Sequence, residues 1–181
     1  IPDLKPCVTI HPWSLESLGS AIITGGGVSL GATASAAYPA ANRALYIPFW
    51  LAVPIVVVKL FCINGATVSG NSDVGIFEES GTRLVSSGST TQTGTSAIQE
   101  FDIADTLLGP GIFYLAVALD NTTGTLLRAT SGGAGAIPLE QLVTRGMAQE
   151  ASAFPLPAAA TFAQVASDYI PLVVLTTRSV V

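Results

Sequence analysis

Charged side chains are scarce in this sequence: only 10% of its 181 residues are Asp, Glu, Lys or Arg, compared with about 25% in average soluble domains. The seven basic residues are scattered singly, and the formal net charge is -5. Because no basic stripe is present to neutralise phosphates, we expect neither nucleic acid nor an anionic membrane surface as a partner. A poorly charged surface of Gly, Ala, Ser and Thr is typical of a subunit whose faces are covered by neighbours.

Histidine occurs once, as His11. A metal site needs several ligands and a catalytic histidine needs partners in a pocket, and no second histidine exists to help. The glycine-rich stretch GGGVSLG at 25–31 matches neither G-x-G-x-x-G nor the P-loop pattern. We therefore predict a protein that is not an enzyme and that has no cofactor and no metal ion.

Two acidic pairs suggest a glycosidase at first sight. Glu78 and Glu79 are adjacent at a predicted strand end, so their side chains point to opposite faces and cannot flank one bond. Glu100 and Asp102 share a face at period two. A solvated strand face explains this pair better, because nothing in the sequence indicates a cleft around it.

Asp73, Asp120 and Asn121 are candidate calcium ligands at a loop edge. Calcium takes about six to eight oxygen ligands, and the chain has no D-x-D-x-D run to supply them. We interpret these three residues as turn formers, because Asx side chains hydrogen-bond their own backbone in turns.

The sequence has only two cysteines, Cys7 and Cys62. They can form one bridge, but each also lies among apolar neighbours, where a free thiol packs as a small hydrophobe. Buried free thiols are the favoured interpretation, and the bridge stays open as the alternative.

The longest apolar run, IPFWLAVPIVVVKLFCI at 47–63, is interrupted by Pro48 and Pro54 and contains Lys59. A membrane-spanning helix needs about 20 apolar residues and does not tolerate two such prolines well. The β-branched residues at 55–58 favour a strand. We predict no membrane span, and instead two buried strands over Leu45–Val53 and Ile55–Ile63.

The pattern after this run predicts an all-β protein. Turn signals recur every eight to twelve residues, and helical periodicity is almost absent between residues 43 and 128. Further strands are predicted over residues 72–79, 82–88, 97–103, 112–119 and 169–177. The predicted fold is an antiparallel, jelly-roll-like β-sandwich.

The two ends of the chain depart from this pattern. Residues 1–41 are rich in small residues and cannot bury much apolar area alone. We predict there an extended N-terminal arm or loop that packs on another subunit, or an initial strand joined by a flexible stretch, and a β-sandwich domain over 42–181. One short helix is predicted in PLEQLVTRGMAQEA, which begins at Pro138 and places Leu139, Leu142, Val143 and Met147 near one face.

The aromatic residues raise a binding hypothesis. Trp13, Tyr38, Tyr46, Trp50 and Tyr114 are expected mainly in the core, because large aromatics dominate protein cores. Tyr46 and Trp50 lie four residues apart on one predicted strand and so share a face. If that face is exposed, Tyr46 and Trp50, together with the loop residue Asn121, form a candidate glycan-binding site.

Five segments in order complete the sequence evidence: YIPF, NGATVSGNSDVGIF, GTRLVSSG, LLGPGIFYLAVALD and NTTGT. Between residues 42 and 125, about half of the chain, they resemble a domain of virion proteins from tailed bacteriophages. The resemblance implies a jelly-roll-like sandwich on the virion exterior, in a capsid decoration (cement) protein, a fibre or a tail component. It carries no catalytic residues.

Two functional hypotheses follow. In the first, the protein is a multi-copy structural subunit of a bacteriophage particle, located in the virion, with other virion proteins and copies of itself as partners and a trimer favoured. In the second, it is a carbohydrate- or receptor-binding module that attaches to a host glycan.

Overall fold

The computed structural model describes residues 9–10, 33–129, 146–167 and 169–178. This part of the chain is almost entirely strand and turn, and every strand pairing in it is antiparallel. The predicted class, an all-β antiparallel sandwich, is confirmed. The strands in chain order are β1 (Thr9–Ile10), β2 (Thr33–Ala37), β3 (Arg43–Leu51), β4 (Ile55–Ile63), β5 (Asn71–Glu78), β6 (Arg83–Ser86), β7 (Thr90–Thr91), β8 (Ile98–Leu108), β9 (Gly111–Leu119), β10 (Thr125–Ala129), β11 (Ala148–Glu150), β12 (Ala163–Gln164), β13 (Ile170–Pro171) and β14 (Val173–Arg178).

The apolar run that begins at Ile47 forms two strands of two different sheets. β3 lies in a seven-stranded sheet of order β12-β11-β3-β9-β5-β6, in which β7 also pairs with β5. β4 lies in a four-stranded sheet of order β1-β14-β4-β8. The short connection around Pro54 therefore carries the chain from one layer of the sandwich to the other. No helix among the described residues is long and apolar enough to cross a membrane.

The main core fills the space between these two sheets. β3 and β9 contribute their odd-numbered residues, and β4 and β14 contribute alternate residues from the opposite layer. Fully buried members include Leu45, Leu60, Leu115, Val117 and Leu175. Burial of such side chains, worth roughly 1.5–3 kcal/mol each, is what holds the two layers together.

A register shift in β4 decides which of its residues enter this core. Ile55 and Val57 point inward, but the pairing with β8 shifts between Val57 and Lys59, and the next inward residues are Leu60 and Cys62. An extra residue of this kind changes the phase of the alternation. The shift turns Lys59 out of the core, where strict alternation from Ile55 would have buried it.

A three-stranded sheet, β13-β10-β2, closes one side of the sandwich. β2 pairs with β10 over five residues, from Ala37 opposite Thr125 to Thr33 opposite Ala129. Next to it, the Tyr38 hydroxyl donates to the Val117 carbonyl oxygen at 2.7 Å, and its ring meets Tyr169 edge to face at 5.7 Å. Part of the segment predicted as an arm thus belongs to the sandwich. The rest of that segment, apart from β1, lies outside the described residues.

The C-terminal strand predicted over 169–177 is divided between two sheets. β13 pairs with β10, whereas β14 begins two residues later and pairs with β4. The change of sheet occurs at Leu172, whose N–H donates to the Leu127 carbonyl oxygen at 2.9 Å. One apolar run therefore joins two layers.

The predicted helix beginning at Pro138 falls mostly outside the described residues. Its C-terminal part is not helical: Met147 is buried in the core, and Ala148–Glu150 form β11, which pairs with β3 from Ala148 opposite Tyr46 to Glu150 opposite Ala44. The helical interpretation is wrong for these three residues because hydrogen bonding to the edge of β3 overrides local helix propensity.

Candidate interaction surfaces

The outer face of the seven-stranded sheet is covered by its own chain. Residues 151–162, which we term the cover segment, lie over β3, β9 and β5 and form a second core. Three residues of this face are alanines, at positions 44, 116 and 118. Because their side chains are small, the cover segment packs close to the strands. Leu156 of the cover segment is buried, and its Cδ1 lies 3.0 Å from the position of a Cβ added to Gly75.

Asp73 anchors the cover segment. This carboxylate is fully buried on β5 and accepts hydrogen bonds from the Leu156 N–H at 2.9 Å, the Ser86 hydroxyl at 2.7 Å and the Ser87 hydroxyl at 3.2 Å. Hydrogen bonds to a charged group are worth about 1.5–3 kcal/mol. Asp73, proposed above as a turn former in preference to a calcium ligand, is thus a structural acceptor beneath the cover segment.

Tyr46 lies beneath the same cover. Its side chain is fully buried, with Phe77 and Phe162 edge to face at 5.1 and 5.0 Å. Its hydroxyl donates to Glu150 Oε2 at 2.8 Å, and burial, with this bond and the nearby negative charge, raises the pKa of Tyr46 far above its usual value. A glycan has no access to Tyr46 in this structure.

Trp50 occupies the uncovered end of the same face. It is 55% exposed, and its partner across the strands, Ile112, is 42% exposed. Val53, in the connection to β4, is 62% exposed. The alternation of β3 therefore places Tyr46 and Trp50 on one face, but only Trp50 is open to a ligand. We call Trp50, Val53 and Ile112 the tryptophan patch.

Asn121 is used within its own turn. Its Nδ2 donates to the Ser69 carbonyl oxygen at 2.8 Å and to Asp120 Oδ1 at 2.5 Å, and its Oδ1 accepts the N–H groups of Thr123 and Gly124 at 2.8 and 2.7 Å. Such bonds are the chemistry of an Asx turn. With its polar atoms occupied, Asn121 is a turn residue in this structure, and of the three residues predicted for a glycan site Trp50 is the one with a large exposed side chain.

Asp120 belongs to the same turn. It accepts hydrogen bonds from the Asn71 N–H at 3.0 Å and the Asn71 side-chain amide at 2.9 Å. Burial acts to raise the pKa of Asp120, but the hydrogen bonds from Asn71 and Asn121 outweigh it, and the net shift is downward. No group of three or more His, Cys, Asp or Glu side chains suited to a metal ion occurs among the residues that the structure describes.

A buried amide network holds the neighbouring loops. Asn64, Gln92 and Gln99 are nearly inaccessible. The Asn64 amide donates to Gln99 Oε1 at 3.0 Å, and the Gln92 amide donates to Asn64 Oδ1 at 2.9 Å. Since buried amides without partners are costly, this network fixes the loops at this end of the sandwich. No sequence pattern predicted this network, because its members come from three separate loops and strand ends.

Cys62 is a free thiol in the main core. Burial raises the pKa of this thiol to about 12, and its Sγ lies 3.7 Å from Asn64 Oδ1. The thiolate needed for nucleophilic chemistry is therefore strongly disfavoured. Cys7 lies outside the described residues.

The outer face of the four-stranded sheet has no described segment over it. Near the start of β4, Val56 lies opposite Leu107 of β8, which is 63% exposed. The outward residues from Lys59 to the end of β4 and beside it are Lys59, Phe61 and Ile63 on β4, Ile98, Glu100 and Asp102 on β8, and Val174 and Thr176 on β14. We call this set the bare face. Its centre is a shallow apolar groove of about 200 Å³ lined by Phe61, Ile63, Ile98, Val174 and Thr176. Ile98 is 66% exposed.

Charged residues lie at one end of the bare face. Lys59 forms an ion pair with Glu100, in which its ammonium group donates a hydrogen bond to the carboxylate. This hydrogen bond raises the pKa of Lys59, and the negative charge of Asp102 raises it further. Among the described residues, none donates a hydrogen bond to Asp102. Glu100 and Asp102 are exposed on an open strand face, which agrees with the solvated interpretation of this pair.

The other acidic pair does not form a cleft either. Glu78 ends β5 and accepts from the Ser80 hydroxyl at 3.2 Å, and Glu78 and Glu79 are both exposed. His11 lies outside the described residues. So does GVSLG at 27–31, which fits the G-x-S-x-G pattern of a nucleophile elbow.

Comparison with protein-family models, with curated proteins and with solved structures gives no match to this chain.

Proposed function

We propose that this protein is a non-enzymatic structural subunit of a bacteriophage particle, present in several copies as an exterior decoration protein or as a fibre or tail component. The segment from residue 42 to residue 125 resembles a domain of virion proteins from tailed bacteriophages, and this resemblance supports the assignment to a virion. The low charge and the sandwich fold support a role in assembly. Its partners in this proposal are copies of itself and other virion proteins.

The observation that carries the proposal is the exposure of large apolar side chains on the bare face, in the tryptophan patch and at Leu107 of β8. The largest apolar patches on soluble monomers are often functional, and patches rimmed by polar residues mark interaction sites. Only 10% of the residues are charged, so few charges have to be desolvated when a neighbouring subunit covers these patches.

The test is the oligomeric state of the full chain, measured by light scattering at two concentrations about a hundredfold apart. The proposal predicts a mass that is a multiple of 18.4 kDa and that falls on dilution. A mass of 18.4 kDa at both concentrations would contradict self-assembly.

The alternative function is attachment to a host glycan through the tryptophan patch. Trp50 favours it, since an exposed indole presents an apolar face on which a sugar ring can stack. On a glycan array, Trp50→Ala should abolish binding and Trp50→Phe should retain part of it. Val53→Ala is the matched control for a general change in the patch. Unchanged binding by Trp50→Ala would exclude this site.

The non-enzymatic part of the proposal has its own test. Glu100 and Asp102 are exposed carboxylates on one face of β8, and a glycosidase of the usual kind needs two carboxylates that can flank one bond. If the chain cleaves a host glycan and the double variant Glu100→Gln/Asp102→Asn loses that cleavage, the protein is a depolymerase and the proposal is wrong.

A further inference from the structure

We infer that the bare face is the docking surface for a second copy of this chain, which packs its own bare face against it. This inference rests on the proposed function in one respect, that the protein works in several copies. It adds which surface joins two copies and how they are related.

The shape and chemistry of the bare face suit sheet-on-sheet packing. Its centre is apolar, with Phe61 and Ile63 on the middle strand and Ile98 and Val174 on either side. Antiparallel sheets pack face to face at about 10 Å through such alternating side chains. The main core of this protein already shows that its sheets bury their other faces in this way.

The pairing register decides which residues meet when two bare faces pack together. Lys59 lies opposite Asp102 and Ile63 lies opposite Ile98 across β4 and β8. A two-fold axis that runs along the strands, midway between β4 and β8, exchanges the two strands between copies. It therefore places Lys59 over Asp102 of the second copy and Ile63 over Ile98 of that copy. Between these two pairs it places Phe61 over Glu100 of the second copy, whose carboxylate is paired with Lys59 of its own chain.

Charge favours a copy of this chain over a partner of one charge sign. The face carries a cation and two anions, and Glu100 is already paired with Lys59 within the chain. Asp102 accepts no hydrogen bond from a described residue; its charge acts on Lys59 within the chain, and the two-fold axis also brings Lys59 of the other copy over it. A symmetric dimer uses the same patch on both copies and repeats each contact through its two-fold axis, as the contact between Lys59 and Asp102 does here.

The experiment is sedimentation equilibrium of the full chain and of Ile98→Glu over the same range of concentrations. Ile98→Glu buries a charge in the proposed contact, so we expect it to raise the dissociation constant at least about tenfold. Val53→Glu is the matched control, because Val53 has similar exposure (62% against 66%) and lies in the β3–β4 connection, away from the groove. It should leave the constant unchanged, and circular dichroism should show that both variants are folded.

A charge-reversal series tests the register. Asp102→Lys places two cations opposite each other and should weaken association, whereas adding Lys59→Glu restores opposite signs and should recover it. Lys59 and Asp102 are also neighbours within one chain, so the free energy of unfolding of each variant is measured by urea denaturation as well. Recovered association at an unchanged free energy of unfolding supports contact between copies, whereas recovery that only follows the free energy of unfolding contradicts this register.

The outcomes separate this inference from the proposed function. Assembly that Ile98→Glu does not weaken, or an odd copy number such as a trimer, overturns the face-to-face contact and leaves the multi-copy proposal standing. A monomer at every concentration overturns both. An even copy number that Ile98→Glu reduces and Val53→Glu does not supports the inference.

Discussion

On the seven-stranded sheet the outer face of β3, β9 and β5 lies beneath the cover segment, whereas on the four-stranded sheet no described segment covers the outer face of β14, β4 and β8. Both faces carry apolar side chains at alternate positions. The chain supplies its own second layer in one case, with Asp73 as the anchor, and in the other it leaves Phe61 and Ile98 at the surface. We attribute the difference to function: one face completes the subunit, and the other joins it to a neighbour.

The largest effect that follows from this comparison concerns Tyr46 and Trp50, which share a face of β3. Tyr46→Ala should lower the free energy of unfolding by about 3–5 kcal/mol, the usual cost of removing a large buried aromatic. Trp50→Ala should lower it by less than about 1 kcal/mol, because the side chain is 55% exposed. Urea denaturation measures both. Similar losses for the two variants would show that the cover does not distinguish these positions.

The second prediction tests the anchor of the cover segment. Asp73→Ala leaves the buried N–H of Leu156 without an acceptor, which should cost about 1–3 kcal/mol and open residues 151–162 to proteolysis. Asp102→Ala is the matched control on the bare face, and its effect should stay within about 0.5 kcal/mol. If Asp73→Ala leaves protease sensitivity unchanged, the cover segment is held by other contacts.

The third prediction concerns pH and the turn that contains Asp120. Its folded-state pKa is lowered, so its contribution to stability is present above its unfolded pKa of about 3.9 and is lost as the pH falls through the folded value. Stability of the native chain should decrease more steeply below about pH 4 than that of Asp120→Asn. Parallel unfolding curves at pH 5 and pH 3 provide the measurement, and equal slopes would contradict the role given to Asn71 and Asn121.

The smallest effect concerns the inner side of β4. Cys62 lies in the core with its pKa raised to about 12 by burial, while the adjacent Phe61 lies on the bare face. In a Cys7→Ser variant, the Cys62 thiol should react with a thiol reagent at pH 8 only after denaturant is added. Rapid labelling of the native protein would place Cys62 at the surface and reverse the two sides of this strand.

Local chemistry was enough to predict most strands from the sequence. β4 begins and ends at the predicted residues, because its β-branched run lies between a proline and an Asn-Gly turn. The Gly109-Pro110 turn likewise separates β8 from β9. Such signals act over a few residues, so the sequence shows them directly.

The arrangement of surfaces could not be predicted in this way. Tyr46 and Trp50 differ only because residues more than a hundred positions later cover one of them, and the cover segment, rich in Ala and Pro, has no periodicity. The outward position of Lys59 depends on the register shift after Val57. The hydrogen bonds that occupy the side chain of Asn121 depend on the conformation of its turn. These features depend on contacts between distant segments or on the register of strand pairing. A local sequence pattern carries no information about either.

The central claim is that the bare face, and not the tryptophan patch, joins copies of this chain. Hydroxyl-radical footprinting of the full chain at low and high concentration tests it most directly, with Phe61 and Ile98 as reporters of one surface and Trp50 as reporter of the other. We expect oxidation of Phe61 and Ile98 to fall at high concentration while that of Trp50 stays constant. Unchanged oxidation of Phe61 and Ile98, or protection of Trp50 alone, would contradict the claim.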